Sequence, residues 1–394
     1  MNCCKATLRC DKSHFIGNNL SDGFAATSPC TGEAIDNLIL NYFPFDGIMN
    51  TWKNPNKGDN FMEILANSYR GDYKDLIYTG HIAVVDFEGN LLYYCGDPEK
   101  IAFARSSAKP MQAMCVFESG AIDAFGIEEN EISLLCASHN GEKMHENGVR
   151  SVLGKAGLDE SYLQCGKHAP FDGPSAKALE DAGIPFSEIH CNCSGKHSGM
   201  LITAKHLGES LDDYYTRGHN VQKRITNMIG DLCGYDPEKI ILGTDGCGVP
   251  VHALPLKNFA MGIARLAKPE CLGGKRAEYA KRITTAMHNY PLMMSGTGRI
   301  DAALMEHLNV FAKSGADGYY IVGLLDKGIG IALKIDDGYG DVRNMVIVEV
   351  LRQLGVINEE NAHHFEKWAK KEVRNHKDEL VGYTLVDFKL HKAE

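Results

Sequence analysis

The sequence lacks several features that define large classes of proteins. It contains no run of eighteen apolar residues, which argues against a membrane span, and no block of five like charges, which argues against a charged tail. The first fifteen residues include no apolar segment of the kind found in secretory signals. The formal net charge of -10 leaves no excess of positive charge for a nucleic-acid backbone. We therefore expect a cytoplasmic protein that binds neither membranes nor nucleic acids.

Cysteine, in contrast, is abundant. There are thirteen cysteines, an odd number. Disulfide frameworks are typical of short secreted chains, whereas this chain has 394 residues and no export signal. We expect reduced thiols, most of them small side chains of the core. Cys193 and Cys247 differ from the others because both lie in glycine-rich turns.

The first 61 residues differ in character from the rest of the chain. They hold four cysteines and many Asn, Asp and Gly, with no helical or strand periodicity. This composition predicts a flexible extension. A second interpretation is that translation starts at Met62 and that residues 1–61 are a start-site artefact. The sequence therefore predicts a single catalytic domain over residues 62–394.

Predicted strands cluster at both ends of this domain and predicted helices lie in the middle. Residues 82–95 read as a β-hairpin, and a second hairpin is predicted over 319–335. The apolar run Ile132–Ala137 is interpreted as a strand-like segment that ends at Ser138. No G-x-G-x-x-G turn follows the first strand, which argues against a dinucleotide-binding fold. This distribution predicts an α+β fold whose antiparallel sheet is formed by both chain ends, with helices packed around it.

Three short motifs carry chemical information. Ser106-x-x-Lys109 is followed by Ser138-x-Asn140 and then by Lys313–Gly315, which reads Lys-Ser-Gly. A serine one helical turn from a lysine, a second serine and a later lysine are typical of serine amidohydrolases that use lysine as the base. Each motif is weak alone, since an exposed serine cap with a solvated lysine would look the same. Their order favours acyl transfer on an amide.

A second group of residues suggests a metal. Cys193, Lys196 and His197 lie in the segment CSGKH, and Asp245 and Cys247 lie in DGCG. Two thiols in glycine-rich turns are a candidate zinc pair, with an amine, imidazole, carboxylate or water completing the site. Two alternatives stay open: a pair formed by Cys193 with the cysteine two residues before it, and a low-pKa thiol at a helix N-terminus with no metal.

Five segments closely resemble the L-asparaginase II family, the Ser-Lys, zinc-containing class of L-asparaginases. They are RSSAKPMQA (105–113), LLCASH (134–139), CNCSGKHSGML (191–201), GTDGCGVP (243–250) and KIDDG (334–338). The resemblance runs from about Tyr69 to near Phe388. It implies a fold similar to serine β-lactamases and serine-type glutaminases, and a homodimer.

The resemblance also implies a role for each matching residue. The implied catalytic pairs are Ser106 with Lys109 and Ser138 with Lys313. The implied zinc ligands are Cys193, Lys196 and Cys247, with water as the fourth. The matching pocket positions are Arg105, His197 and Asp245.

The sequence thus predicts an L-asparagine amidohydrolase that forms a serine acyl-enzyme with lysine as the base. A glutaminase or another cytoplasmic Ser-Lys amidase would share these residues. A β-lactamase or D,D-peptidase would share the Ser-Lys motif but would need export to reach its substrate. A zinc-dependent binding protein without turnover is the alternative from a different class.

Overall fold

The computed structural model describes residues 63–394, so the predicted extension over 1–61 lies outside the described residues. The described part contains two antiparallel sheets. Its strands are β1 (Glu63–Arg70), β2 (Tyr73–Asp86), β3 (Leu91–Cys95), β4 (Ile101–Phe103), β5 (Ile241–Thr244), β6 (Pro250–Pro255), β7 (Val310–Ser314), β8 (Tyr319–Leu324), β9 (Ile329–Ile335), β10 (Lys371–Arg374), β11 (Leu380–Val386) and β12 (His391–Lys392).

Both ends of the described chain contribute to the large sheet. Its main path runs β10-β11-β1-β2-β9-β8-β7, and β3 pairs with both β2 and β12. The pairs along this path are antiparallel, including β2 with β9, which joins the N-terminal and C-terminal strands. The small sheet has the order β4-β6-β5. The predicted α+β class, with its sheet built from both chain ends, is confirmed.

The region between β4 and β7 is largely helical. The α-helices are α1 (Lys109–Glu118), α2 (Ala121–Ala124), α3 (Glu129–Leu135), α4 (Lys143–Lys155), α5 (Gly173–Asp181), α6 (Ser194–His206), α7 (Asn220–Cys233), α8 (Leu256–Ala267), α9 (Gly274–Asn289), α10 (Pro291–Met294), α11 (Ile300–His307) and α12 (Gly340–Gln353). Short 3-10 helices span Arg105–Ala108, Glu160–Tyr162, Glu188–His190, Pro237–Lys239, Pro269–Leu272 and Ala362–Trp368. Among the residues described, none of these helices has the length and apolar character that a bilayer crossing requires.

The core lies between the large sheet and its helices. Every residue of β8 is buried, as expected for a strand covered on both faces. α8 packs against β2, β8 and β9, and α12 contacts β8, β9 and β11. Close approach of α8 requires a glycine in β9, because a Cβ atom at Gly330 would lie 1.9 Å from the Ala260 carbonyl oxygen.

The strand-like interpretation of Ile132–Ala137 is wrong. Residues 132–135 belong to α3, which begins with a capping box between Glu128 and Glu131, and residues 136–137 follow its C-terminus. Most of α3 is buried and it packs against α4, α6, α9 and α10, so apolar residues occur all round the helix. A short, fully buried helix and a buried strand have the same apolar pattern, which is why periodicity failed here. Ser138 therefore follows a helix C-terminus and not a sheet edge.

Candidate active site

Ser106 lies in a one-turn 3-10 helix that leads directly into α1. Arg105, just before it, has a φ of 52°, a left-handed conformation that is uncommon for a residue with a side chain. Such strain is concentrated at functional sites, where the surrounding structure holds it in place. Ser106 is half-buried, and among residues 63–394 its hydroxyl makes no hydrogen bond. The hydroxyl of Ser106 is therefore partly exposed and has no hydrogen-bond partner among the described residues.

The Lys109 amine is buried, and its side chain points toward Ser138. Lys109 is 1% exposed, and its Nζ donates to Ser138 Oγ at 3.0 Å, to Asn192 O at 3.4 Å and to Ala137 O. Within the described part of the chain, the hydrogen bonds of Nζ do not include one to Ser106. The Lys109 amine therefore bonds directly to Ser138, although Lys109 belongs to the same sequence motif as Ser106.

The loop that carries Ser138 is fixed by a buried histidine network. The Gly141 N–H donates to His139 Nδ1 at 3.1 Å, so His139 Nε2 carries the proton and donates to Ser194 Oγ at 2.9 Å. Ser194 in turn donates to Ile189 O. Burial holds the pKa of His139 well below its usual range, so the ring is neutral. This network connects the Ser138 loop to the first turn of α6.

Lys313 is fully buried in β7. Its Nζ donates to Ser314 O at 2.8 Å, and its backbone oxygen accepts from Ser107 Oγ at 3.1 Å. Burial lowers the pKa of Lys313 to about 7; the Asp301 carboxylate opposes this shift and the Lys109 side chain reinforces it. Because Ser107 directly follows Ser106, its hydrogen bond joins the nucleophile turn to the strand that carries Lys313.

The structure thus brings the four predicted catalytic residues into one region, where hydrogen bonds link them in two pairs. Lys109 bonds to Ser138, and the residue after Ser106 bonds to the backbone of Lys313. The pairing of Ser138 with Lys313 is not seen as a direct hydrogen bond within residues 63–394. The roles of these four side chains stay predictions.

Two of the predicted pocket residues form an ion pair. Arg105 Nε and Nη2 lie 2.9 and 2.8 Å from Asp245 Oδ1, and Arg105 Nη1 contacts the carboxylate of Asp317. The Asp245 side chain is 11% exposed, whereas that of Asp317 is 67% exposed. Sequence reasoning missed Asp317, which lies in the turn between β7 and β8 and belongs to no recognised motif.

His197 lies in the interior of α6 and is fully buried. Its Nδ1 lies 2.7 Å from the Tyr214 hydroxyl, and among the described residues its Nε2 has no hydrogen-bond partner. Burial, reinforced by the charge of Lys196, holds the pKa of His197 well below its usual range. Because the His197 ring is neutral and fully buried, packing beneath the pocket suits it better than direct contact with the substrate.

The three predicted zinc ligands converge. Lys196 Nζ lies 3.0 Å from Cys247 Sγ. Hydrogen bonds from the Cys191 and Cys247 thiols lower the pKa of Cys193 well below its usual range. Burial alone would lower the pKa of Lys196, but the Cys247 and Cys193 sulfurs raise it.

This donor set fits a zinc ion. Cysteine sulfur is a preferred zinc ligand, and a thiol pair next to an amine supplies three soft or borderline donors. No group of three His, Cys, Asp or Glu side chains within residues 63–394 forms a metal site, so a metal here requires Lys196 as its third protein ligand. Binding would also require Lys196 and Cys247 to release their protons.

The profile of the L-asparaginase II family matches residues 66–386. Taken with the serines and buried lysines of the site, this match defines an amidohydrolase of the Ser-Lys type, a hydrolase that acts on a linear amide. The chain belongs to the L-asparaginase II family. A search among curated proteins finds no match.

Solved glutaminase structures show a limited similarity. A Bacillus subtilis glutaminase in covalent complex with 5-oxo-L-norleucine is 13% identical, with 70% of this chain and 88% of that chain covered and a TM-score of 0.35. A probable glutaminase, YbaS, is 16% identical, with 70% of this chain and 86% of that chain covered and a TM-score of 0.39. TM-scores this low do not define the substrate of this chain.

Proposed function

We propose that the protein hydrolyses L-asparagine to L-aspartate and ammonia through a serine acyl-enzyme. The observation that carries this proposal is the buried Lys109 amine, bonded to Ser138 beside the free hydroxyl of Ser106, in a chain of the L-asparaginase II family. A serine nucleophile requires a neighbouring base, and a lysine amine can serve as that base.

In the first half-reaction, Ser106 attacks the side-chain carboxamide and Lys109, one turn further on, takes its proton. Backbone N–H groups, including that of Ser106 in the first turn of its helix, hold the developing oxyanion; one such donor contributes about 3–4 kcal/mol to the lowering of the barrier. Loss of ammonia leaves a β-aspartyl ester on Ser106.

Ser138 and Lys313 move protons in both half-reactions. In the first they deliver a proton to the departing ammonia, and in the second they activate the water that hydrolyses the ester. The pKa of about 7 supports this role for Lys313, because a neutral amine is then available near neutral pH. A general base works best when its pKa lies near the operating pH.

The charged α-amino and α-carboxylate groups of the substrate would bind beside Ser106. Asp245 receives the α-ammonium group and Arg105 shapes the pocket around it. We expect Asp245→Asn to raise KM for L-asparagine by at least about tenfold, since it removes a largely buried charge that is paired in the free protein. Steady-state kinetics of ammonia release measure this change.

Asp317→Asn is the matched control, because Asp317 contacts the same guanidinium from an exposed position. Exposed ion pairs contribute little, so its kcat/KM should change by less than about fivefold. Equal effects of the two substitutions would contradict the assignment of the α-ammonium group to Asp245.

We propose that Cys193, Lys196 and Cys247 hold a zinc ion with water as the fourth ligand. When bound, the metal would supply a fixed positive centre that joins the α6 N-terminus to the β5–β6 turn. Its ligands belong to motifs separate from the nucleophile, so its role is to anchor and orient.

We expect Cys247→Ser to lose stoichiometric zinc and to melt at a lower temperature, because one of two thiolate ligands is removed. Elemental analysis and thermal denaturation measure the two effects. Cys233→Ser, which alters a buried cysteine in α7 away from this cluster, controls for the loss of a core thiol. Wild-type protein that neither contains zinc nor takes it up would contradict the proposed metal site.

The decisive test of the activity compares ammonia release from L-asparagine and L-glutamine, with and without a chelator. A larger kcat/KM for glutamine would favour a glutaminase, and zinc binding with no turnover of either amide would favour a binding protein. The homodimer and the cytoplasmic location stay predictions.

A further inference from the structure

A buried carboxylate, that of Asp301, lies next to β7, the strand that carries Lys313, and belongs to none of the motifs described above. Asp301 is in the first turn of α11 and is 1% exposed. Its Oδ1 accepts the Ser314 N–H and its Oδ2 accepts the Ser314 hydroxyl at 3.0 Å. Ser314 is the last residue of β7 and directly follows Lys313. Both oxygens of the carboxylate are therefore bonded to the end of the strand that carries the catalytic amine.

An acidic residue in the first turn of a helix often stabilises only that helix. There it satisfies free N–H groups or interacts favourably with the helix dipole. Asp301 instead bonds to a residue of another element, thirteen positions further along the chain. Fully burying a charged carboxylate is costly unless it is hydrogen-bonded and paired with positive charge. The position of Asp301 thus requires an explanation beyond the stability of α11.

The charges around Lys313 provide that explanation. The cations whose fields reach its amine are Lys109, Arg299 and Arg343, from α1, the residue preceding α11, and α12. The Asp301 carboxylate acts against these cations and raises the pKa of Lys313. Arg343 also donates to Gly315 O at 2.7 Å, so the end of β7 is held from two sides.

We propose that Asp301 is a positioning residue that fixes the end of β7 through Ser314 and sets the protonation state of Lys313. The inference rests on the proposed role of Lys313 as a proton-transfer group. Without the carboxylate, burial and three neighbouring cations all favour loss of the proton from Lys313. With it, the amine can be protonated and deprotonated near neutral pH, as a proton relay requires.

The direct test is an NMR titration of Lys313 in protein labelled at its lysine side chains, with the resonance assigned by the Lys313→Met variant. In the wild type we expect the Lys313 amine to titrate with a midpoint at a pH of about 7. In Asp301→Asn the midpoint should fall by about 1 pH unit or more, because one nearby charge typically shifts a pKa by that amount. Ser314→Ala, which removes one hydrogen bond but keeps the carboxylate, should shift the midpoint by less than Asp301→Asn does.

The pH profile of kcat for ammonia release is the second readout. The neutral amine activates the water that hydrolyses the ester, so where this step limits turnover the acidic limb of the kcat profile should move to lower pH in Asp301→Asn, in the same direction as the NMR midpoint. A residue that only stabilises the fold would lower the rate without moving this limb. The NMR titration does not require turnover, so an inactive wild type would contradict the proposed function and leave this inference testable.

A reciprocal measurement covers the case in which Asp301→Asn does not fold. Coupling between two titrating groups is equal in both directions. In Lys313→Met the pKa of the Asp301 carboxyl group, followed by carbon NMR, should therefore rise. An unchanged or raised Lys313 midpoint in folded Asp301→Asn, or an unchanged Asp301 pKa in Lys313→Met, would overturn the proposal.

Discussion

Replacing Ser106 with alanine is expected to lower kcat for ammonia release from L-asparagine by more than about 1,000-fold. The Oγ atom of Ser106 would form the ester bond of the acyl-enzyme, so no other group can take over its chemistry. Its hydroxyl makes no hydrogen bond within the described residues, so the substitution leaves the fold intact. A steady-state assay together with a thermal melt separates lost chemistry from lost structure.

Ser107→Ala is the matched control for this prediction. It removes a neighbouring hydroxyl that is fully buried and bonded to Lys313 O at 3.1 Å. Loss of one such hydrogen bond costs about 1 kcal/mol of stability, so we expect a lower melting temperature and a loss of activity below about tenfold. Wild-type ammonia release by Ser106→Ala would show that another group is the nucleophile.

The second large effect is expected for Lys109→Met, which replaces the buried amine with an uncharged chain of similar length. The variant should lose more than about 1,000-fold in kcat, because the serine then lacks a base. Lys109→Arg should be similarly inactive, since a guanidinium stays protonated and cannot accept a proton. An active Lys109→Arg variant would contradict the role of Lys109 as a base.

Two double-mutant cycles identify the serine that acts with Lys109. Residues that act as one unit show strongly non-additive losses. If Lys109 serves Ser106, the double variant Ser106→Ala/Lys109→Met should be no worse than the poorer single variant. The Lys109–Ser138 hydrogen bond of 3.0 Å makes Ser138→Ala/Lys109→Met the informative comparison. Complete non-additivity in only the Ser138 cycle would show that Lys109 acts through Ser138.

The candidate residues of the site could be predicted because their chemistry is carried by short motifs. Ser106-x-x-Lys109 places two groups one turn apart, and CSGK places Cys193, the residue just before α6, one turn from Lys196. The contacts between motifs could not be predicted in this way. Spacing gives no distance between segments that are separated by long stretches of chain.

The fold was predictable where periodicity was distinctive. The sheet from both chain ends followed from β-rich apolar runs joined by turn signals. The helix α3 was misread because it is short and buried on all sides, which removes the polar face that marks a helix.

The sequence by itself determined which side chains are available and which of them share a helical turn, because helix geometry fixes neighbours three and four residues apart. Only the tertiary structure decided that Lys109 bonds to Ser138 across 29 positions and that Arg105 pairs with Asp245 across 140. It alone decided that Asp301 is buried against Ser314 beside Lys313. These contacts depend on how separate elements pack, and the burial that changes the pKa of Lys313 exists only once they have packed.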